Sequence, residues 1–182
     1  MIFKELRLHG AYQILMEPFV DRRGEFSRLF CADEFQKQNL ISTWVQVNRS
    51  VTRLSGTIRG MHFQYAPAAE VKLLSCFVGE VYDVIVDIRQ NSPTYGHWCA
   101  EILRGDDNKF LYVPEGFAHG FQTLTDNVEM LYFHSVAHNP NAQGGIAWDD
   151  PDMKISWPRK VVNLSPKDSQ LPRLKEMRPF KP

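Results

Sequence analysis

The chain has 182 residues, with 21 basic and 21 acidic side chains, so its formal net charge is zero. That balance supplies no bulk cationic surface for nucleic acid, whose phosphates are met by a surplus of Lys and Arg. A hydrophobic content of 43% is enough for a packed core, and the length fits a single domain at roughly 100–200 residues per domain.

The longest apolar run, Val81 to Ile88, is broken by Asp83 and Asp87, so no segment approaches the ~20 apolar residues that cross a bilayer. The opening residues, Met1 to Glu5, lack the apolar stretch of a secretion signal, and a cytoplasmic protein is expected. Cys31, Cys76 and Cys99 are odd in number and widely spaced, which suits neither a disulfide framework nor a metal knuckle. They are expected to be plain thiols.

In chain order, the first periodic signal is helical, over 32–39, where Cys31 and Phe35 stand four apart and Glu34 is placed to meet Lys37 or Gln38. From Trp44 onward, short β-branched and aromatic runs between Gly, Pro, Asn and Asp predict strands near 44–51, 57–64, 71–78, 81–89, 98–104, 109–113, 119–124 and 129–136. Strands at such regular spacing predict an all-β sandwich or barrel. The tail carries Pro158, Pro166, Pro172, Pro179 and Pro182, which predicts an irregular segment over 158–182 packed on the barrel rather than a second domain.

Four segments carry more polar chemistry than a core requires. In Gly56 to Gln64, strand alternation puts Arg59, Met61 and Phe63 on one face and Gly60, His62 and Gln64 on the other. In Glu70 to Leu74, it puts Lys72 with Leu74 and against Val71 and Leu73. The turn Val113-Pro114-Glu115-Gly116-Phe117-Ala118-His119-Gly120-Phe121 delivers a histidine to a strand start, with glycines that imply close backbone approach. The last is Leu131-Tyr132-Phe133 together with Ser165-Pro166-Lys167-Asp168.

These spacings resemble the cupin pattern, with His62 after Gly56, six residues between Lys72 and Gly79, and Pro114 to His119 in the second half. The resemblance implies a double-stranded β-helix, or jelly-roll, with short peripheral helices. Gln64 and Lys72 stand where a metal-binding cupin offers a histidine and a glutamate. A cation there repels a divalent metal, and two imidazoles fall short of three or four protein ligands. A metal-free site is expected, with Glu70 as the one spare candidate ligand.

At finer grain the chain resembles the dTDP-4-dehydrorhamnose 3,5-epimerase family along nearly all its length. The motifs are Asp21 to Phe26, Gln46 to Ser50, Arg59 to Gln64, Lys72-Leu73, Asp83 to Arg89, Pro114 to Phe121, Trp148 to Pro151, Trp157-Pro158 and Leu164 to Asp168. The resemblance implies a cofactor-independent epimerase of a nucleotide-linked 4-keto-6-deoxyhexose. It also implies a homodimer whose N-terminal strands, within residues ~1–30, are lent to the partner.

By the same resemblance His62 is the general base, Asp168 its orienting carboxylate and Tyr132 the acid on the opposite face. Lys72 and His119 stand near the ketone oxygen, where cationic or hydrogen-bonding donors stabilise an enolate. Arg59 and, from the partner, Arg23 contact diphosphate, while Gln46, Asn48 and Lys167 join the substrate-binding set. Three positions depart from the family: Arg28 for a glutamate, His138 for a tyrosine that stacks on the base, and Gln143 for a glutamate. All three are nucleotide-side positions, so the reaction is expected to be kept while the nucleotide or sugar differs, for example a CDP-linked sugar.

Three alternatives make different demands. A single-centre epimerase needs the same base, acid and enolate cradle. A sugar-nucleotide-binding cupin without turnover has no need of the His62, Asp168 and Tyr132 set. A metal-dependent cupin requires bound metal. Together the motifs predict Arg23, Arg59, Lys72 and Arg28 gathered in a locally cationic cleft on a neutral molecule.

Overall fold

A computed structural model describes residues 1–181; Pro182, the last proline of the predicted tail, lies outside the described residues. The predicted β-architecture is present, as a cupin-type jelly-roll. Its strands are β1 (Ile2–Glu5), β2 (Tyr12–Leu15), β3 (Phe19–Asp21), β4 (Gly24–Phe26), β5 (Gln46–Thr52), β6 (Ile58–Gln64), β7 (Lys72–Val78), β8 (Glu80–Asp87), β9 (Trp98–Arg104), β10 (Lys109–Val113), β11 (Phe117–Thr123), β12 (Val128–His134) and β13 (Gln143–Gly145). The eight predicted strands correspond to β5 through β12 within one to two residues.

The strands form a six-stranded sheet, β1-β2-β10-β7-β12-β5, facing a five-stranded sheet, β13-β6-β11-β8-β9. The β3–β4 hairpin pairs only with itself. Every ladder between named strands is antiparallel, so alternate residues face inward. Leu74, Cys76, Leu111 and Met130 from one sheet meet Val81, Ile85, Leu103 and Phe121 from the other in the internal core. Burial of such side chains contributes roughly 1.5–3 kcal/mol each.

Both outer faces are also covered. Helix α1 (Ala32–Lys37) places buried Phe35 against Leu73, Phe110 and Tyr112 on the six-stranded sheet. Glu34 does not meet Lys37 or Gln38 as predicted; its carboxylate accepts from the Met1 ammonium at 3.0 Å and Arg28 at 3.1 Å. On the other side, Met153, Leu174, Met177 and Phe180 cover Val84 and Val86 of β8 and Ile88 just after it. The tail is irregular apart from isolated bridges Thr57↔Asn163 and Arg89↔Phe180 and a 3₁₀ turn, Asp168–Gln170. All three cysteines are free, and burial pushes the Cys76 and Cys99 thiols up to about 12. Among the described residues no helix is long and apolar enough to cross a membrane.

Candidate active site

Where the inward face turns polar, the barrel opens into a cavity of about 650 Å³. Its lining joins β5, β6, β7, β11 and β12 to the Asn163–Asp168 stretch of the tail. Burial and polarity coincide here, as in ligand sites.

His62 projects from β6, and its Nε2 lies 2.7 Å from Asp168 Oδ1 across 106 residues of sequence. Asp168 is 5% exposed and also accepts from Gly60 N–H at 3.2 Å. Burial pushes its carboxyl upward, but the hydrogen bonds from His62, Gly60 and Ser165 outweigh this and hold it below the ordinary carboxylate range. The pair is an imidazole oriented by an ionised carboxylate.

The predicted grouping of Arg59 with Met61 and Phe63 is corrected. Met61 and Phe63 pack in the outer cluster, but Arg59 shares the cavity with His62. The reason is a bulge: His62 pairs with His119 and Arg59 with Phe121, so three steps on β6 answer two on β11. Gly60 permits it, with φ +126 and an ideal Cβ that would stand 2.5 Å from Gly120 Cα. The close approach predicted for the glycines of the 113–121 turn is therefore, at Gly120, an approach to the neighbouring strand. Arg59 is fixed by Nε donating to Thr52 Oγ1 at 2.9 Å.

Lys72 and Leu74 point inward and Leu73 outward, as alternation predicts. Lys72 is 7% exposed; its Nζ donates to the His62 carbonyl at 3.1 Å and sits 3.3 Å from Glu70 Oε1. His119 directs Nε2 at both Asp83 oxygens, 3.0 and 2.9 Å away, which leaves Nδ1 as its free ring nitrogen. Complete burial pushes the Asp83 carboxyl up against the pull of His119. Tyr132 enters from β12, on the sheet opposite His62, and exchanges a 3.3 Å hydrogen bond with Ser50. Desolvation holds its phenol well above the ordinary value, so it stays protonated at neutral pH.

Gln46, Asn48, His138, Gln143 and Lys167 also line the cavity, with Lys167 Nζ donating to Gln143 Oε1. Arg23 and Arg28 do not. Arg23 lies on the β3–β4 hairpin, paired with Asp21, and Arg28 is exposed and paired with Glu34. Of the four cations expected in one cleft, the single chain brings together Arg59 and Lys72, while Arg23 is the one expected from the partner. Arg49, Arg59, Lys72 and Lys167 line the cavity against Glu70 and Asp168, a local positive surplus without Arg23 or Arg28.

The family profile for dTDP-4-dehydrorhamnose 3,5-epimerase matches residues 5–176. The chain belongs to that family. It is 39% identical over 178 residues to the dTDP-4-dehydrorhamnose 3,5-epimerase of Sinorhizobium fredii, spanning 97% of this chain and 91% of that one. The fold superposes with a TM-score of 0.92 on the crystal structure of the Bacillus anthracis epimerase with TDP and PPi bound, at 36% identity over 94% of this chain and 98% of that one. The same score is obtained with the Legionella pneumophila enzyme in complex with dTDP-4-keto-L-rhamnose, at 33% identity over 97% and 94% of the two chains.

Beside the residues this epimerase family points to, the cavity holds others that motif reading left without a role. His134 sits two residues after Tyr132 and so shares its face; its Nδ1 lies 2.7 Å from Glu70 Oε2. Alternation alone could have found it. Asp83, Ser50 and Thr52 needed the strand register. Among the described residues no group of three His, Cys, Asp or Glu side chains is placed to hold a metal. Glu70, the spare ligand of the sequence reading, is engaged by His134 and Lys72.

Proposed function

We propose that the cavity epimerises C3 and C5 of a dTDP-linked 4-keto-6-deoxyhexose without a cofactor. The observation that carries this is one cavity lined by His62 of one sheet, paired with Asp168, and by a protonated Tyr132 of the other sheet, together with Lys72 and His119. Both carbons adjoin the C4 ketone. Removing either hydrogen as a proton to His62 leaves an enolate whose charge falls on the ketone oxygen, where the Lys72 ammonium supplies the compensating charge. Tyr132 then protonates the opposite face of the carbon, which inverts it. The imidazolium returns its proton to solvent and the phenolate regains one, so the cycle closes.

Arg59, Gln46, Asn48, His138, Gln143 and Lys167 hold the nucleotide and diphosphate, the guanidinium fork suiting phosphate oxygens. The dTDP assignment draws on the TDP and dTDP-sugar complexes of the relatives, and Arg28 has its partner Glu34 outside this chain's cavity. The proposed unit is a cytoplasmic homodimer that exchanges N-terminal strands. In support, Phe19, Val20 and Phe26 on the hairpin are 75, 74 and 72% exposed, and Arg23 there does not line its own cavity. Three free thiols suit a reducing compartment.

Incubation with dTDP-4-keto-6-deoxyglucose in heavy water, followed by NMR, tests the reading. Deuterium at both C3 and C5 with the rhamno product is expected. Deuterium at one carbon alone would make this a single-centre epimerase, and none at either would leave a binding protein. Parallel titrations with dTDP, UDP, CDP and GDP are expected to favour dTDP.

A further inference from the structure

A row of hydrogen bonds runs along one wall of the cavity, from the nucleotide-side residues to Lys72. His138 N–H donates to Gln46 Oε1 at 3.0 Å, and Gln46 Nε2 donates to Asn48 Oδ1 at 3.2 Å. Asn48 Nδ2 lies 3.3 Å from His134 Nε2, and His134 Nδ1 lies 2.7 Å from Glu70 Oε2. The other Glu70 oxygen is 3.3 Å from Lys72 Nζ, which donates to the His62 carbonyl.

Both ends of this row have fixed polarity. A backbone N–H and an ammonium only donate, and an ionised carboxylate only accepts. The His138 N–H occupies the Gln46 oxygen, so the Gln46 amide group donates onward to the Asn48 oxygen, and the Asn48 amide group faces His134. Nε2 of His134 is left as an acceptor, and the ring carries its hydrogen on Nδ1, against Glu70. Burial raises the Glu70 carboxyl, but the hydrogen bond from His134 and the Lys72 charge outweigh it, so Glu70 is ionised. Neither His134 nor Glu70 is needed as base, acid or enolate donor.

We propose that His134 and Glu70 are positioning residues: His134 holds one Glu70 oxygen through Nδ1–H, and Glu70 uses the other to fix the Lys72 ammonium at the substrate's ketone oxygen. The inference rests on the epimerase reading of the same cavity. A lysine side chain carries much rotamer entropy, so a long ammonium with no anionic partner is poorly placed for a transition state that rewards preorganisation. Glu70 alone would supply a charge without a fixed direction. With one oxygen committed to His134, its other oxygen and the His62 carbonyl define where Nζ stands.

Two measurements test this. In protein labelled with nitrogen-15 histidine, long-range proton–nitrogen NMR, assigned through backbone connectivity in the wild-type protein, is expected to show His134 protonated at Nδ1 only. An imidazolium or an Nε2–H tautomer overturns the proposal, and this readout requires no variant to fold. In kinetics, Glu70→Gln and His134→Leu are expected to lower kcat about tenfold or more while KM and dTDP affinity move less than about threefold. His134→Asn keeps a donor near Nδ1 and is expected to recover kcat to within about threefold of wild type. A Leu variant as fast as wild type, or an Asn variant no better than Leu, overturns the proposal. Absence of hydrogen exchange in the wild-type protein would instead sink the epimerase reading, while normal exchange with the wrong tautomer removes only the positioning role.

Discussion

The barrel interior has two halves made by the same strands. Along β12 the inward residues are Met130, Tyr132 and His134, and along β7 they are Cys76, Leu74 and Lys72. In each case one end of the strand feeds the apolar core and the other feeds the cavity. In the apolar half, position is set by packing: Leu74 and Val81 are fully buried within a cluster of apolar side chains. In the polar half, packing cannot aim a side chain, and three imidazoles are each aimed by a carboxylate: His62 by Asp168, His119 by Asp83 and His134 by Glu70. The apolar half therefore carries stability and the polar half carries chemistry, with the strands as their shared frame.

Changes in the polar half should break chemistry without breaking the frame. The largest effect is expected for His62→Asn, which removes the base. Turnover and deuterium exchange should fall roughly 10³-fold, within the range for loss of a general base, while dTDP affinity stays near wild type by titration calorimetry. Unchanged exchange would refute the base assignment. Tyr132→Phe should lower product formation roughly 10²-fold yet leave measurable deuterium exchange, because His62 can still remove and return a proton on its own face. Equal loss of exchange and inversion would show that Tyr132 does more than protonate.

The apolar half should respond in the opposite sense. Leu74→Ala deletes a fully buried side chain and should cost about 2–5 kcal/mol in denaturant unfolding, with turnover per folded molecule little changed. A variant of normal stability and low turnover would show that the two halves are not separable.

This division was only partly legible in the sequence. Alternation on 71–74 identified Lys72 and Leu74 as one face, and it would have added His134 to Tyr132, since both depend only on period two. It failed at Arg59, because a bulge that depends on Gly60 meeting Gly120 on another strand resets the period. The His62–Asp168 pair spans 106 residues and was reached through family motifs; no local rule predicts that a proline-rich tail returns to the barrel mouth. Asp83 and Ser50 took their roles from register, which sequence spacing does not contain. β1 to β4 and β13 are short, and β3 and β4 are wholly exposed, so they lack the half-buried alternation by which the longer strands announce themselves.

The smallest effect on turnover, and a separate test of the division, comes from a carboxylate outside the cavity. Asp87 is fully buried and accepts from Arg89 Nη2 at 2.7 Å and from the Ser92 and Thr94 hydroxyls at 2.6 Å each. Burial raises its carboxyl, but these donors outweigh that and hold it below its ordinary value. A carboxyl depressed in the folded state contributes stability that is present above its unfolded pKa of about 3.9 and lost as pH falls through the folded value. Asp168 obeys the same sign, but it also orients the base. Asp87→Asn should therefore lower stability at pH 7 and flatten the acid side of the stability profile, followed by urea unfolding from pH 7 downward, while neutral-pH turnover changes less than about twofold. If turnover fell in step with stability, the frame would be shaping the chemistry as well as supporting it.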